Sequence, residues 1–315
     1  INMITRRHIR LKVMQSLYSY FSNPNNEMAI AEKGMLKDIR SVSELQIVIF
    51  SLILEIHKFA VDFMEDNKGK YIPKDEDLNP KMKFVHNRVI LAMQEDELLM
   101  KKTTRLSGIW RKGELDIIRK IFVDMYRSEQ YTSYLNDEKD SFKSDQKFIQ
   151  LMLNEYILDN EVFMHVLQER SIFWTDDLPF VAMFLKSQIN NLKENKSADL
   201  IVDVFKNSDD KKFAVDLFRK TIYSAEEFES LVGSKVKNWE LERISKMDLL
   251  LIKMALTEVV SFEEMPIRVS FNEYIEISKY YSSQKAKVFI NGILDKIVSQ
   301  FKSEGKIKKI GRGLV

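Results

Sequence analysis

Helix breakers are scarce in this chain: its 315 residues include 9 glycines and 5 prolines. The prolines punctuate rather than interrupt. Pro24 falls in SNPNNE, Pro73 and Pro80 bound a polar stretch, Pro179 follows IFWTDDL, and Pro266 precedes an S-x-x-E spacing. Between them apolar residues recur at helical spacing, and strand-type alternation is absent. The expectation is an all-α chain of long helices, with room for two domains or one large one.

Helical spacing predicts helices over 4–21, 35–64 with a break near 41–43, 81–103, 114–135, 145–170 and 177–194. It predicts further helices over 199–206, 210–223, 226–237, 246–262, 271–281 and 285–302. Asn79-Pro80 reads as an N-cap and first helical residue. Thr175 or Asp176 reads as the N-cap of the helix over 177–194. Ser224/Glu227, Ser245/Asp248 and Ser270/Glu273 have capping-box spacing, in which each side chain satisfies an orphan N–H at a helix start.

The chain is 45% hydrophobic and 30% charged, which places it among globular proteins. With no cysteine there is no disulfide, thiolate nucleophile or cysteine-ligated zinc, which fits a reducing cytoplasm. The most apolar run, 45–54, lies between Glu44 and Glu55 and is too short to span a bilayer, so no membrane partner is expected. The opening residues are basic with no apolar run after them, so no secretory leader is expected, and Met3 is a candidate start. GxxxxGK[ST], GxGxxG and GxSxG are all absent, which leaves nucleotide and hydrolase chemistry unsupported. His8, His57, His86 and His165 fall on different elements, and Glu161/His165 alone is a weak metal signal. No metal, cofactor or catalysis is expected. Helix capping accounts for Asp176-Asp177, and core burial accounts for Phe122, Tyr126, Phe163 and Trp174.

The formal net charge is only +2, but cations gather at the two ends. Arg6, Arg7, Arg10 and Lys12 have no acid among them. Steps of 100° place Arg6, Arg7 and Arg10 in the same arc as Ile9, Val13, Met14, Leu17, Tyr18 and Phe21. A core does not accept three arginines, so the first turns are expected to form a basic patch suited to phosphate. Lys302, Lys306, Lys308, Lys309 and Arg312 face only Glu304, in a tail expected to be solvated and mobile or to meet phosphates or an acidic protein. In the last predicted helix Ala286, Phe289, Ile290, Ile293, Leu294, Ile297 and Val298 form one stripe interrupted by Asn291-Gly292. A mid-helix glycine costs up to about 1 kcal/mol relative to alanine, so a close approach to this backbone is expected.

Two stretches carry a family likeness. RRHIRLKVMQSLYSY (6–20) resembles the first helix of the bacterial NusB transcription antitermination family, and 245–297 resembles that family's C-terminal half. The hallmarks are P-x-x-V-x-x-N-E at Pro266, Val269, Asn272 and Glu273, and F-[VI]-N-G-[VI]-L-D-K from Phe289 to Lys296. Two positions depart: Val288 stands where the family often has Lys, and Leu256-Thr257-Glu258 replaces Leu-Tyr-Glu.

The resemblance implies a pair of three-helix bundles from 1–24 and 205–302, a helical insertion over 25–204 and a basic tail over 303–315. It implies a non-catalytic factor that binds boxA-type nascent ribosomal RNA leader with NusE, a small-subunit ribosomal protein, in the RNA polymerase antitermination complex. By the same resemblance RNA contacts fall on Arg6, Arg7, Arg10, Gln15, Lys285, Lys287, Phe289 and Asn291. Contacts to NusE fall on Val236, Glu242, Asp248 and Lys253. An alternative is a protein-interaction scaffold whose insertion contacts RNA polymerase or another partner. NusB-like domains also precede rRNA methyltransferase domains, which a strand-rich module in 25–204 would mark; none is expected.

Overall fold

The computed structural model describes residues 3–23, 25, 27–72, 74–105, 110, 115–236 and 244–310. Among them the regular structure is helical, with no strand. In order come α1 (Arg6–Ser22), α2 (Met28–Lys68), α3 (Asp75–Leu78), α4 (Arg88–Glu95), α5 (Glu97–Arg105), α6 (Leu115–Tyr126), α7 (Glu129–Asn136) and α8 (Phe142–Leu151). A π-helical run, Met152–Leu158, leads to α9 (Glu161–Arg170) and α10 (Ile172–Asn191). Then follow α11 (Ser208–Tyr223), α12 (Ala225–Lys235), α13 (Lys246–Ser261), α14 (Ile267–Tyr281) and α15 (Ala286–Ser303). The chain divides into two compact units, Ile1–Ile39 with Phe205–Val315, and Arg40–Val204.

The first unit is organised by α13, which touches α1, α11, α12, α14 and α15. A helix apolar around most of its circumference must be buried, and Leu250, Leu251, Ile252, Met254, Ala255, Leu256 and Val259 all are. Ser245 starts it, its hydroxyl accepting from the Asp248 N–H at 3.0 Å. The expected pair of bundles takes the form of two mutually touching triads that share α13: α1–α11–α13 and α13–α14–α15. Lys302, Lys306 and Lys308 of the basic tail are exposed, as expected, but two contacts tie the tail down. Lys309 Nζ donates to the Phe262 carbonyl at 2.9 Å, and the Ile310 N–H donates to that of Glu263 at 3.1 Å.

The second unit holds a cluster of rings. Phe59, Phe63, Phe122, Tyr126, Tyr131, Phe84, Phe148 and Tyr134 form a chain of edge, tilted and stacked contacts. Each such pair adds about 0.5–1.5 kcal/mol beyond its area. Phe122, Phe163 and Trp174 are buried as core; Tyr126, which touches Phe63, Phe122 and Tyr131 in the middle of the cluster, is exposed.

Local structure departs from the sequence expectations where a tertiary partner decides. The helix expected to break near 41–43 runs unbroken through α2, because Ile39, Val42 and Leu45 stay buried and in phase. The start expected at Asn79-Pro80 moves to Asn87, which accepts from the N–H groups of Val89 and Ile90 at 3.0 and 3.2 Å. The predicted helix over 114–135 breaks where Ser128 caps α7. That over 145–170 is interrupted by the π-helical run and restarts where Asn160 caps α9. Asp176 and Asp177 lie inside α10, which follows Ser171 and contains Pro179. No helix forms over 199–206: Leu200 donates its N–H to Asp96 at 2.8 Å, while its carbonyl accepts from Gln46 and Gln188 at 3.0 and 2.7 Å. His165 approaches Glu169, at 3.6 Å, rather than Glu161.

Candidate nucleic-acid interface

Three helices of the first unit, α1, α13 and α14, meet at the buried anchor of the site. Arg10 of α1 donates from Nε and Nη2 to Glu258 of α13 at 2.8 and 2.6 Å. Ser270 Oγ and Tyr274 OH of α14 donate to the same carboxylate at 2.7 and 2.9 Å. The Arg10 side chain is 3% exposed and that of Glu258 0%. Burial pulls the Arg10 pKa down, and the hydrogen bonds and charge of Glu258 more than offset it, so the guanidinium stays above its ordinary value. Burial, reinforced by Glu258, pushes the Tyr274 phenol well up.

This corrects two expectations. The core does accept one arginine, because a buried carboxylate meets it; Arg10 therefore does not stand at a phosphate-facing edge. Ser270 and Glu273 are also not a capping box. Pro266 precedes the first turn of α14, which places both inside the helix, Ser270 on Glu258 and Glu273 on Arg7.

Arg6 and Arg7 point elsewhere. Arg7 holds Glu273 with two bonds of 2.8 Å, yet its side chain is 56% exposed. Its hydrogen bonds hold the Glu273 carboxyl below the ordinary value against the opposing effect of burial. Arg6 reaches Asp210 at 3.4 Å and lies 5.2 Å from the Phe213 ring centre, as does Arg10. Gln15 is half-buried further along α1.

The joint between α14 and α15 exposes Lys285, Lys287 and Val288, with Phe289 and Asn291 half-buried. Ala286, Ile290, Ile293, Leu294, Ile297 and Val298 are buried as the predicted stripe, whereas Phe289 stands at its margin. Asn291 donates to Asp295 at 3.1 Å. Gly292 is exposed, and a Cβ there would meet nothing within 4 Å. The close approach expected at this glycine is not made by any described part of the chain.

The two basic regions flank α14: Arg7 of α1 grips Glu273, and α15 packs against the same helix. Glu276 lies a turn further along α14. Lys279 bonds it and depresses its pKa most, and the charges of Arg7 and Lys287 lower it further. A carboxylate on α14 thus feels a cation from α1 and a cation from α15. Glu273, Glu276 and Tyr280 follow one face of α14 at helical spacing, and the Tyr280 ring is 83% exposed.

The residues expected to meet a protein partner turn inward. Asp248 is buried and accepts from Ser282 Oγ, fastening the start of α13 to the end of α14. Lys253 is buried, pairs with Glu229 of α12 and lies 5.3 Å from the Phe21 ring centre. Each was expected at a surface, and each is held inside by an internal partner. Val236 caps the end of α12 and is half-buried; Glu242 lies outside the described residues.

The sequence reading missed Glu258 and Tyr274 as site-building residues, and Tyr280 as an exposed ring. One signal was present for Glu258: a lone acid inside the apolar run of α13 demands a buried donor, and Arg10 alternates with buried Ile9, Val13 and Met14.

Comparisons with known proteins agree with this architecture. A family model described as the NusB family matches residues 180–299. That match begins inside the unit Arg40–Val204 and leaves out α1. The transcription antitermination protein NusB of Salinibacter ruber (strain DSM 13855 / M31) is 42% identical over 103 residues, 33% of this chain and 64% of that protein. The protein of the same name from Chloroherpeton thalassium (strain ATCC 35110 / GB-78) is 35% identical over 130 residues, 41% of this chain and 62% of that protein. That of Clostridium botulinum (strain Kyoto / Type A2) is 34% identical over 120 residues, 36% of this chain and 84% of that protein. The chain thus spans under two thirds of the length of the first two relatives. No solved structure matches it.

Proposed function

The chain belongs to the NusB family, and from that premise we propose that it serves transcription antitermination by binding single-stranded boxA-type RNA together with NusE. The observation that carries this reading is the two-pronged grip of Arg7 on Glu273 of α14, the helix against which α15 packs. The basic starts of α1 and α15, far apart in sequence, then border one strip of surface. Arg6, Arg7, Lys285 and Lys287 offer charge to phosphates, Tyr280 and Phe289 offer rings to unstacked bases, and Asn291 offers an amide to a base edge.

The paired arginines remain available. An exposed ion pair such as Arg7–Glu273 is worth only about 0–1 kcal/mol, so a phosphate can take over the guanidinium at little cost. Arg10 cannot serve this way, since leaving Glu258 would strand a buried charge. Its part is to hold α1 against α13 and α14 so that Arg7 faces outward.

In this proposal NusE meets the first unit at a surface to which Asp248 and Lys253 contribute by bracing α13 rather than by direct contact. RNA polymerase is the third partner of the complex, and no catalytic step is assigned.

Fluorescence anisotropy with a labelled boxA-type RNA, with and without NusE, tests the reading. The wild type is expected to bind, more tightly with NusE. Arg7→Glu/Lys287→Glu is expected to lose most affinity, and Tyr280→Ala about 1–3 kcal/mol through lost stacking. Unchanged binding by the double variant removes the proposed face.

A further inference from the structure

The unit Arg40–Val204 carries an open groove of about 560 Å³, lined by none of the residues proposed to bind RNA. Its floor is aliphatic, from Ile47, Leu98, Ile201 and Val202. Leu98 is 48% exposed there. A single exposed leucine is ordinary, but one continuous with a lined groove is the form a binding surface takes.

Two further observations define an occupant. Arg40, Lys102 and Arg105 line the groove, and none of the three has an ion-pair partner among the described residues. The groove's acids are Glu44 and Asp203, and Asp203 is already engaged. The second concerns the main chain. Leu200 uses both its N–H and its carbonyl. Ile201, Val202 and Val204, directly after it, make no hydrogen bond with any described residue. Main-chain groups beside an apolar surface need a partner, either water or another main chain.

We propose that this groove docks a segment of a partner protein in which aliphatic and acidic residues alternate. Aliphatic side chains would cover Ile47, Leu98 and Val202, carboxylates would meet Arg40, Lys102 and Arg105, and the segment's main chain would pair with that of Ile201, Val202 and Val204. A single-stranded nucleic acid fits less well. Sequence-tolerant strand binding relies on aromatic stacking, and among the described residues no aromatic side chain lines this groove.

The test uses the full chain and a fluorescein-labelled peptide of alternating valine and glutamate, read by anisotropy. Saturable binding is expected, about tenfold or more weaker for Arg40→Glu/Arg105→Glu and for Leu98→Asp, a loss of about 1.4 kcal/mol or more. A peptide with lysine in place of glutamate is expected not to bind. All three positions are exposed, so the variants should melt with the wild type, which circular dichroism checks. No binding of the glutamate peptide, binding indifferent to both variants, or equal binding of the lysine peptide overturns the proposal. Displacement of the labelled peptide by oligouridylate also overturns it and assigns the groove to nucleic acid.

Discussion

Arg10 and Glu258, 248 residues apart in sequence, form a two-pronged ion pair with both side chains shut off from water. Ser270 and Tyr274 fill the remaining positions on the carboxylate, so α1, α13 and α14 are locked by one buried charge pair.

The first prediction concerns that lock. Removing one partner strands the other charge, so Arg10→Met or Glu258→Met should destabilise by about 3–5 kcal/mol. Replacing both by methionine should cost clearly less than the sum of the single changes, because no charge is left buried. Urea denaturation of the four proteins measures this. Additive losses would show that the two side chains act independently.

A second prediction concerns acid. Arg7 holds the folded-state pKa of Glu273 below its ordinary 4.5 despite partial burial. Folding therefore favours the ionised carboxylate. Its contribution is fully present above the unfolded value and fades as pH falls through the lowered folded value. Because Arg7 is largely exposed, the effect is discounted to about 0–1 kcal/mol. Glu273→Gln should lose stability less steeply than wild type between about pH 5 and pH 3, as read from urea midpoints. Parallel pH curves would exclude the pair as the cause.

Gly292 supplies a third. With open space around a hypothetical Cβ, Gly292→Ala should stabilise α15 by up to about 1 kcal/mol, measured by thermal melting. If an RNA strand lies against this backbone, the same methyl group should weaken RNA binding. A variant that is both more stable and equally tight would remove RNA as the reason for the glycine.

Much of the fold was legible in the sequence because its signals are local. The apolar circumference of α13, the stripe from Ala286 to Val298 and the Ser245 cap each depend on residues within a few turns. Arg10 was misread because its partner is remote: no local rule says that Glu258 waits in the core to receive it. Ser270 and Glu273 were misread for the opposite reason. Their spacing satisfies a local rule, but Pro266 already starts the helix, which frees both side chains for Glu258 and Arg7. Asp248 and Lys253 look like surface charges by type and are drawn inward by Ser282 and Glu229. The segment 199–206 has helical composition and is held open by Asp96, Gln46 and Gln188.

The central claim is that the starts of α1 and α15 form one RNA-binding face, and the salt dependence of boxA-type RNA affinity tests it most directly. Each lost phosphate contact should flatten the slope of log K against log salt by about 0.7 for a single strand. Alanine at Arg7, Lys285 and Lys287 together should therefore reduce the slope by about 2, with both halves of the face contributing. An unchanged slope and affinity in that triple variant would contradict a shared face.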